Sequence, residues 1–549
     1  MDRICNSIPF FCLVIRSPLR FTRLPAGKCF FAVNFPSWQQ CASFPFKSRT
    51  LKKLLIPSIL FISLSSCNFN KEQADDHKAS SDQSICFCQK EATAKKSELE
   101  NGIREQVKFL DEEEELQSIP SKLTEYTIPA LSISVIEHGE ISWSELYQNP
   151  DFATQGDLDC STIFQAASLS KPVTFMAALR MEAAGAIDMD RDIEFYLKDF
   201  QLPEGEQSAE NPVTFRNLFS HTSGISRGGY LGYDQDSALP SDLDILKGSP
   251  GVNTPPIQVA SPPNENLAYS GGGYTLAELA LQDIFQTEFS QIMNQWILRP
   301  LQMKHSLFDQ PLPDSYAQRV AKGYDTNGEM IKGGWNNYPQ QAAAGLWSTS
   351  QDMALFLIEI YKAYHGKSAL FTQAEIEAML DQQREGHVYG FIIQREGDAI
   401  SLTHYGGNVG YRSGMTINLT SGNGLVYLIN SDIGADLGNE LLLSASEVYD
   451  WPHFKQTAVR RGEISEDSLQ ALAGDYFWNN QIELSLEFDK EQKQIVLVFP
   501  NGDRYELYPV QSNGLQLIHP KTGVMISFRK EDAMEVFSLY GQKAVRKKN

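Results

Sequence analysis

Cysteine is scarce over most of the sequence. Of the eight cysteines in 549 residues, seven lie before residue 89 and the eighth is Cys160. We therefore expect no framework of disulfide bonds in the main part of the chain, whatever the redox compartment. Cys86 and Cys88 have neither a histidine nor a further cysteine after them at the spacing of metal ligands, so we assign them no function.

Several signatures of cofactor and nucleic-acid binding are missing as well. The sequence has no Walker-type phosphate loop, no dinucleotide fingerprint and no metal-ligand cluster, so we expect neither a cofactor nor a metal. The formal net charge is −21, and residues 68–549 carry −29 because residues 1–67 carry +8. A body this acidic repels nucleic acid and anionic lipid, so we expect no nucleic-acid partner.

No apolar run is long enough to span a bilayer, but residues 54–64 form a mostly apolar stretch after Lys52 and Lys53. A short apolar stretch behind basic residues is typical of the core of a signal peptide. The small residues that lead to Cys67 resemble the lipobox of bacterial lipoproteins. This resemblance implies cleavage before Cys67, acylation of its thiol and a membrane anchor at the cell envelope, facing periplasm or exterior. A buried core strand is the alternative.

The leader, residues 1–67, begins well before the basic start of the signal peptide. We interpret residues 1–50 as an over-extended reading frame, and an authentic long leader is the alternative. Residues 68–102 are polar and charged, with few large apolar side chains. Because such a segment cannot bury enough surface to fold alone, it is predicted to be a flexible tether.

The rest of the chain divides into two predicted domains. Strand patterns flank a helical middle in residues 103–455, which predicts an α+β domain with one antiparallel sheet. Its expected helices lie at 103–126, 168–182, 274–289 and 350–364, and its expected strands at 130–136, 141–147, 390–394, 413–419 and 424–431. Residues 462–549 alternate between polar and apolar and contain glycine turns. They predict a small all-β domain without a catalytic cluster, either a closed, lipocalin-like barrel or a sandwich.

Ser168 and Lys171 stand three residues apart where a helix is predicted to begin. Side chains at this spacing lie on one helix face, so the lysine amine can reach the serine hydroxyl. The positive end of the helix also favours the negative charge that develops during nucleophilic attack. The pair therefore predicts an activated serine nucleophile, although an ordinary helix start has the same pattern when it stands alone.

Two further segments carry candidate residues. Tyr269 precedes a glycine run and a predicted helix. A phenol held near an ammonium group ionises more easily, so Tyr269 is a candidate base for Ser168. His404 precedes Gly406 and Gly407 on a predicted strand, where glycines let a substrate approach the backbone closely.

At these three places the chain resembles the serine β-lactamase and penicillin-binding-protein superfamily, in particular the class C branch with its D-amino-acid peptidases and esterases. Three more segments look like the same family, namely residues 218–224, 300–303 and 344–350. The resemblance as a whole covers residues 120–450. It implies a β-lactamase/transpeptidase-like fold and a serine hydrolase that works through an acyl-enzyme.

The resemblance also assigns roles to the candidate residues. In the family pattern Ser168 is the nucleophile, Lys171 its proton partner and Tyr269 the general base. Backbone N–H groups of Ser168 and Gly407 form the oxyanion hole. In the family pattern the predicted strand that contains Gly407 binds the substrate. The same strand contains His404 and Gly406.

Two positions depart from the family pattern and bear on the substrate. The asparagine expected two residues after Tyr269 is Gly271, and the lysine expected at position 404 is a histidine, which is mostly neutral near pH 7. Both changes favour esters or uncharged amides, while D-amino-acid peptides and β-lactams stay open. The expected partner is a small molecule or a short peptide, with peptidoglycan as a further candidate.

Structural alternatives accompany these predictions. His221, in a Thr-Ser-Gly context, is more typical of a capped turn after a helix than of catalysis. For the whole protein, the alternative to an enzyme is a peptidoglycan-binding or sensing lipoprotein that keeps the fold without useful turnover. The intact set of Ser168, Lys171 and Tyr269 favours the enzyme, whereas Gly271 favours the binding protein.

Overall fold

The structure is a computed structural model that describes residues 93–547, except positions 157, 227, 480–481, 501, 532–533 and 540–541. The predicted leader with Cys67 and the predicted tether up to residue 92 lie outside the described residues. All described residues belong to one compact unit. None of the helices in this part of the chain combines the length and the apolar character of a membrane span.

The described residues form helices and strands throughout. The helices are α1 (Ala94–Asn101), α2 (Ile119–Glu125), α3 (Ser170–Ala183), α4 (Phe215–Phe219), α5 (Asp242–Lys247), α6 (Gly271–Phe285), α7 (Phe289–Met293), α8 (Gln341–Ala344), α9 (Ser350–Tyr364), α10 (Gln373–Asp381), α11 (Gly434–Val448) and α12 (Glu466–Leu472). The strands are β1 (Val107–Phe109), β2 (Ala130–Glu137), β3 (Glu140–Gln148), β4 (Phe164–Ala167), β5 (Tyr233–Asp234), β6 (Asn336–Asn337), β7 (Leu346–Ser348), β8 (His387–Val388), β9 (Phe391–Glu396), β10 (Ala399–Asn408), β11 (Tyr411–Asn418), β12 (Gly424–Ile429), β13 (Thr457–Val459), β14 (Gly474–Trp478), β15 (Ile482–Asp489), β16 (Gln494–Val498), β17 (Arg504–Val510), β18 (Leu515–Ile518), β19 (Met525–Glu531), β20 (Met534–Leu539) and β21 (Gln542–Arg546).

The main sheet has seven antiparallel strands in the order β3-β2-β12-β11-β10-β9-β8. Strands from both ends of the segment are neighbours in it, since β2 pairs with β12. The predicted hairpin is β2 and β3, joined at His138 and Gly139. This topology confirms the predicted α+β fold with a single large antiparallel sheet.

Helices cover both faces of the main sheet. β12 is buried at every position because α9 packs on one of its faces and α11 on the other. The predicted helix 350–364 coincides with α9. Its start is fixed by Thr349, whose side chain accepts a hydrogen bond from the Asp352 N–H at 3.2 Å. The sheet is thus the middle layer of a helix-sheet-helix domain.

Residues from Gly474 onward form a closed barrel. Its eight strands follow in chain order from β14 to β21, and β14 pairs with β21 to close the ring. Apolar side chains fill the interior, among them Tyr476, Leu486, Leu497 and Phe537, and α12 packs against β15 and β16. The predicted all-β domain is confirmed, and it is a barrel rather than a sandwich.

The helix predicted at residues 103–126 is wrong. β1 and α2 occupy this stretch instead. Pro120 stands in the first turn of α2, and the Ser118 side chain caps that turn. Because a proline lacks the N–H that a continuing helix requires, the helix can begin here but cannot run through.

The predicted tether, residues 68–102, also extends too far. Its last part is helix α1, capped by the Thr93 side chain. Leu99 of α1 is fully buried in the core beneath β2, together with Trp143. A single anchoring leucine among charged residues produces no apolar periodicity, which is why composition alone predicted a flexible segment.

Cys160 bears on the expectation that no framework of disulfide bonds holds the main part of the chain. Cys160 is disulfide-bonded. It is the sole cysteine among the described residues, and a bond at one cysteine is not a framework that holds the fold.

Candidate active site

Ser168 lies in the tight turn between β4 and α3. Ala167, just before it, has a left-handed φ of 52°, a conformation that costs a non-glycine residue on the order of 1 kcal/mol. Ser170 holds this turn, because its Oγ donates to Ala167 O at 2.6 Å and accepts from the Leu346 N–H at 3.0 Å. The helix predicted at 168–182 therefore begins two residues later, and the serine belongs to the turn.

Lys171 lies in the first turn of α3 and is only 2% exposed. Its Nζ is 3.1 Å from Ser168 Oγ and donates to Ala343 O at 2.7 Å. The carbonyl belongs to α8, which packs against α3. A buried ammonium group requires such partners, since leaving it unpaired costs several kcal/mol. These contacts hold the lysine against the serine hydroxyl.

Tyr269 lies just before α6 and contacts the same lysine. The Lys171 Nζ is 4.8 Å from the centroid of the Tyr269 ring, close enough for cation–π attraction. Ser270 caps α6, because its Oγ accepts from the Gly273 N–H at 3.0 Å. Tyr269 is 39% exposed, so part of this residue is accessible from solvent. The structure therefore brings Ser168, Lys171 and Tyr269 together.

His221 binds the backbone on both sides of Tyr269. Its carbonyl accepts from the Ala268 N–H at 2.8 Å, and its Nδ1 accepts from the Ser270 N–H at 3.1 Å. The His221 and Tyr269 ring centroids are 4.5 Å apart. Burial, and then the charge of Lys171, hold the pKa of His221 well below its usual range, so the ring is neutral, as an accepting nitrogen must be. His221 thus has a structural role that fixes the position of Tyr269.

β10 approaches the serine turn closely at its glycines. A Cβ at Gly406 would lie 2.5 Å from Ala166 O, so only glycine lets β10 come this near to β4. Asn408 fixes the same approach, because its Nδ2 donates to Gln165 Oε1 at 2.7 Å. Gly407, between these two buried residues, is exposed. The exposed backbone of β10 is therefore next to the turn that carries the nucleophile.

His404 is buried on β10, with its ring centroid 6.4 Å from that of Tyr269. Burial, and then the nearby charge of Lys171, lower the pKa of His404 to about 3. The ring is therefore neutral at physiological pH, and it offers no positive charge to a substrate carboxylate.

Sequence reasoning missed Glu278, which lies on α6 and is fully buried. Its Oε2 accepts from the Ala342 N–H at 2.8 Å in α8, the helix whose Ala343 carbonyl binds Lys171. Burial, and then the charge of Asp242, raise the pKa of Glu278 well above its usual range. A signal was present in the sequence, because Glu278 is the single charged residue in the apolar run at 276–281.

Among the described residues, no group of histidine, cysteine, aspartate or glutamate side chains could hold a metal ion. A serine beside a buried lysine, with an accessible tyrosine on the same ammonium group, suits acyl transfer to the serine oxygen.

The chain matches a known protein family. Residues 104–447, more than half of the chain, match the family model described as Beta-lactamase. Penicillin-binding protein 4* of Bacillus subtilis (strain 168) is 22% identical over 438 residues, which cover 74% of this chain and 92% of that protein. Protein flp of Staphylococcus aureus (strain MW2) is 24% identical over 202 residues, which cover 37% of this chain and 39% of that protein. The chain thus spans about two fifths of the length of the first curated relatives that it matches.

The fold has solved counterparts. An octameric penicillin-binding protein homologue from Pyrococcus abyssi superposes with a TM-score of 0.52 at 19% identity, over 78% of this chain and 98% of that one. At this identity the likeness shows the fold alone. The family match over residues 104–447 confirms the predicted superfamily, and the chain belongs to the Beta-lactamase family of serine hydrolases.

Proposed function

We propose that this protein is an active hydrolase that forms an acyl-enzyme at Ser168. The observation that supports this most is the position of the Lys171 Nζ, 3.1 Å from Ser168 Oγ and 4.8 Å from the ring centroid of Tyr269. A binding protein has no need to bury an ammonium group beside a serine hydroxyl.

In the proposed reaction Tyr269 transfers protons, Ser168 forms the covalent bond, and two backbone N–H groups bind the oxyanion. Tyr269, as the phenolate stabilised by the Lys171 ammonium, takes the proton of Ser168, whose Oγ attacks the substrate carbonyl. The N–H groups of Ser168 and Gly407 bind the oxyanion. The proton then passes to the leaving group as its bond to the acyl carbon breaks. A water molecule then gives a proton to Tyr269 and attacks the acyl carbon. The bond to Ser168 Oγ breaks, Oγ takes that proton from Tyr269, and the acid is released.

We propose an uncharged ester or amide as the substrate. His404 is neutral, and Gly271 supplies no side-chain amide for an acylamide group. Arg412, which faces Gly407 across the β10-β11 pair, has its Nη1 bound to Asn408 O at 2.9 Å and to Asp432 Oδ1 at 3.0 Å. The Arg412 Nη1 is therefore already bound and is not available to a substrate carboxylate.

We also propose that the protein works at the bacterial cell envelope, anchored through a lipid on Cys67. The support comes from the sequence pattern before Cys67 and from the name of one relative, Penicillin-binding protein 4*. D-amino-acid peptides, peptidoglycan fragments and β-lactams, which carry charged groups, are the alternative substrates. The class C-like relationship belongs to the same proposal and depends on Tyr269 taking the place of the family tyrosine.

The test compares three substrates with the purified protein: a chromogenic cephalosporin, a short-chain aryl ester and a D-alanyl dipeptide. We expect the ester to have the highest kcat/KM. Ser168→Ala should lower kcat/KM at least about a thousandfold, because the nucleophile is lost. Ser97→Ala, at an exposed serine of α1, is the matched control and should keep full activity. Equal activity of Ser168→Ala and the unmodified protein would refute the mechanism.

The second candidate function is a binding or sensing lipoprotein of the same fold. The observation that favours it is Gly271, where the family pattern has an asparagine. Such a protein would bind peptidoglycan fragments without turnover. Binding that is unaffected by Ser168→Ala, together with no hydrolysis of any of the three substrates, would identify it.

A further inference from the structure

Residues 228–231 link the two walls of the candidate site. At one end the Gly271 N–H, two residues after Tyr269, donates to Gly228 O at 2.7 Å. At the other end Leu231 O accepts from the Tyr338 hydroxyl at 3.2 Å. That hydroxyl in turn accepts from the backbone N–H directly after β10, at position 409, at 2.9 Å. The 228–231 segment therefore passes from the tyrosine side of the site to the β10 side.

Within this segment, Tyr230 covers the first turn of α6. Its hydroxyl is 2.8 Å from Thr275 Oγ1. A Cβ at Gly271 would lie 2.9 Å from Tyr230 Cε2 and 2.5 Å from Gly228 O. The tyrosine ring and the Gly228 carbonyl therefore occupy the space into which a side chain at position 271 would extend.

The covered face of α6 is linked to Lys171 through α8. Positions 271, 275 and 278 lie on one side of a helix. Glu278 on that side binds the N–H of Ala342 in α8, and the next residue of α8 binds Lys171 through its carbonyl. Tyr230 thus encloses this face of α6, whereas Tyr269, just before α6, is 39% exposed.

The two sides of the site suit the two halves of a substrate. The leaving group departs to solvent and takes a proton from Tyr269, so it fits the open side. The acyl group stays attached to Ser168 and therefore extends toward the enclosed side. On the basis of the proposed function, we propose that Tyr230 determines specificity by limiting the acyl group to a short chain.

The test uses p-nitrophenyl esters that share one leaving group and differ in acyl length: acetate, butyrate and octanoate. For Tyr230→Ala we expect the ratio of kcat/KM for octanoate to that for acetate to rise about tenfold or more, because the ring that excludes longer chains is gone. Tyr230→Phe keeps the ring and removes the hydroxyl that bonds to Thr275. It should leave the ratio within about twofold of the unmodified protein.

Each other outcome overturns the inference. An unchanged or lower ratio in Tyr230→Ala would show that the ring does not limit the acyl group, as would equal loss of activity on all three esters. If Tyr230→Ala does not fold, Tyr230→Leu gives the same test with a smaller apolar side chain. Acetate hydrolysis that depends on Ser168 identifies the function separately, so failure of the function and failure of the inference can be told apart.

Discussion

At the scale of single residues, Lys171 connects the parts of the site. It is buried, binds a carbonyl of α8, and lies beside both the serine hydroxyl and the tyrosine ring. Its closeness to Ser168 was predicted from the sequence spacing, although the structure places Ser168 in the turn before α3 and not on the helix. Its third partner, Ala343 O, was not predictable, since a backbone carbonyl carries no signature of its own in a sequence.

Lys171→Met should abolish most activity and leave the fold intact. Acid–base partners of this kind contribute about a hundred- to ten-thousandfold to the rate. The unpaired Ala343 carbonyl should cost about 1–3 kcal/mol of unfolding free energy. Ester hydrolysis and urea unfolding measure the two effects. Lys304→Met, at an exposed lysine, is the control, and equal activity of both variants would contradict the assigned role.

His404 gives the protein a pH-dependent stability that can be measured. Its pKa in the folded state is lowered to about 3, whereas an unfolded histidine titrates near ~6.5. Its contribution to stability is therefore complete above about pH 6.5 and is lost as the pH falls toward 3, at about 1.4 kcal/mol per pH unit.

Urea unfolding at three pH values between about 7.5 and 4.5 tests this account of His404. The unmodified protein should lose more stability on acidification than His404→Gln, which has no proton to gain. His138→Gln, at an exposed histidine, is the control and should follow the unmodified protein. Parallel loss in the unmodified protein and His404→Gln would show that the buried ring does not resist protonation.

At the scale of elements, the catalytic groups depend on how α6 and α8 are joined. Tyr269 precedes α6, Lys171 is bound by α8, and Glu278 connects the two helices through the Ala342 N–H. The carboxyl group is buried, and burial, followed by the charge of Asp242, raises its pKa well above the usual range. Glu278 therefore positions Lys171 relative to Tyr269 indirectly, through its bond from α6 to α8.

Glu278→Gln and Glu278→Ala should differ in activity. Glutamine keeps an oxygen for the Ala342 N–H, so its kcat should stay within about threefold of the unmodified protein, whereas alanine should lower kcat roughly ten- to hundredfold through misplacement of Lys171. KM should change little in either variant. If both substitutions lower stability equally and leave kcat unchanged, the residue has only a structural role.

The elements that sequence alone could predict are those with strong local patterns. α9 follows from its cap at Thr349 and a continuous amphipathic face, and the β2-β3 hairpin follows from alternation around a glycine turn. The strand β1 within the stretch at 103–126 could not be predicted from local pattern. It forms by pairing with β13, which is a contact across 350 positions. The closeness of Gly406 to Ala166 likewise depends on tertiary packing and leaves only a glycine in the sequence.

At the scale of the whole molecule, the barrel contacts the rest of the chain through β1. Val107 and Phe109 of β1 pack in a small apolar cluster with Val510 and Ile518 of the barrel. Phe109 is 9% exposed, and the Arg461 guanidinium lies 4.0 Å from its ring centroid. None of these residues belongs to the candidate site, so attachment of the barrel and catalysis should be separable.

Phe109→Ala should destabilise the protein without changing the chemistry. Removal of a buried phenylalanine side chain costs about 3–5 kcal/mol, and the loss should appear as a lower unfolding temperature in calorimetry. kcat/KM for the short ester should remain within about twofold in the folded protein. The cavity would form in the apolar cluster between β1 and the barrel, which contains no residue of the candidate site. Leu110→Ala, at a neighbouring side chain that is 51% exposed, is the control and should change neither quantity.

The central claim is that Ser168 is a nucleophile activated by Lys171 and Tyr269. Mass spectrometry after reaction with a fluorophosphonate probe, which acylating serine enzymes attack with loss of fluoride, tests it most directly. The account predicts one covalent adduct, on the peptide that contains Ser168, absent in Ser168→Ala and formed much more slowly in Lys171→Met and Tyr269→Phe. An adduct on another residue, or no adduct at a probe concentration that labels a known serine hydrolase, would contradict it.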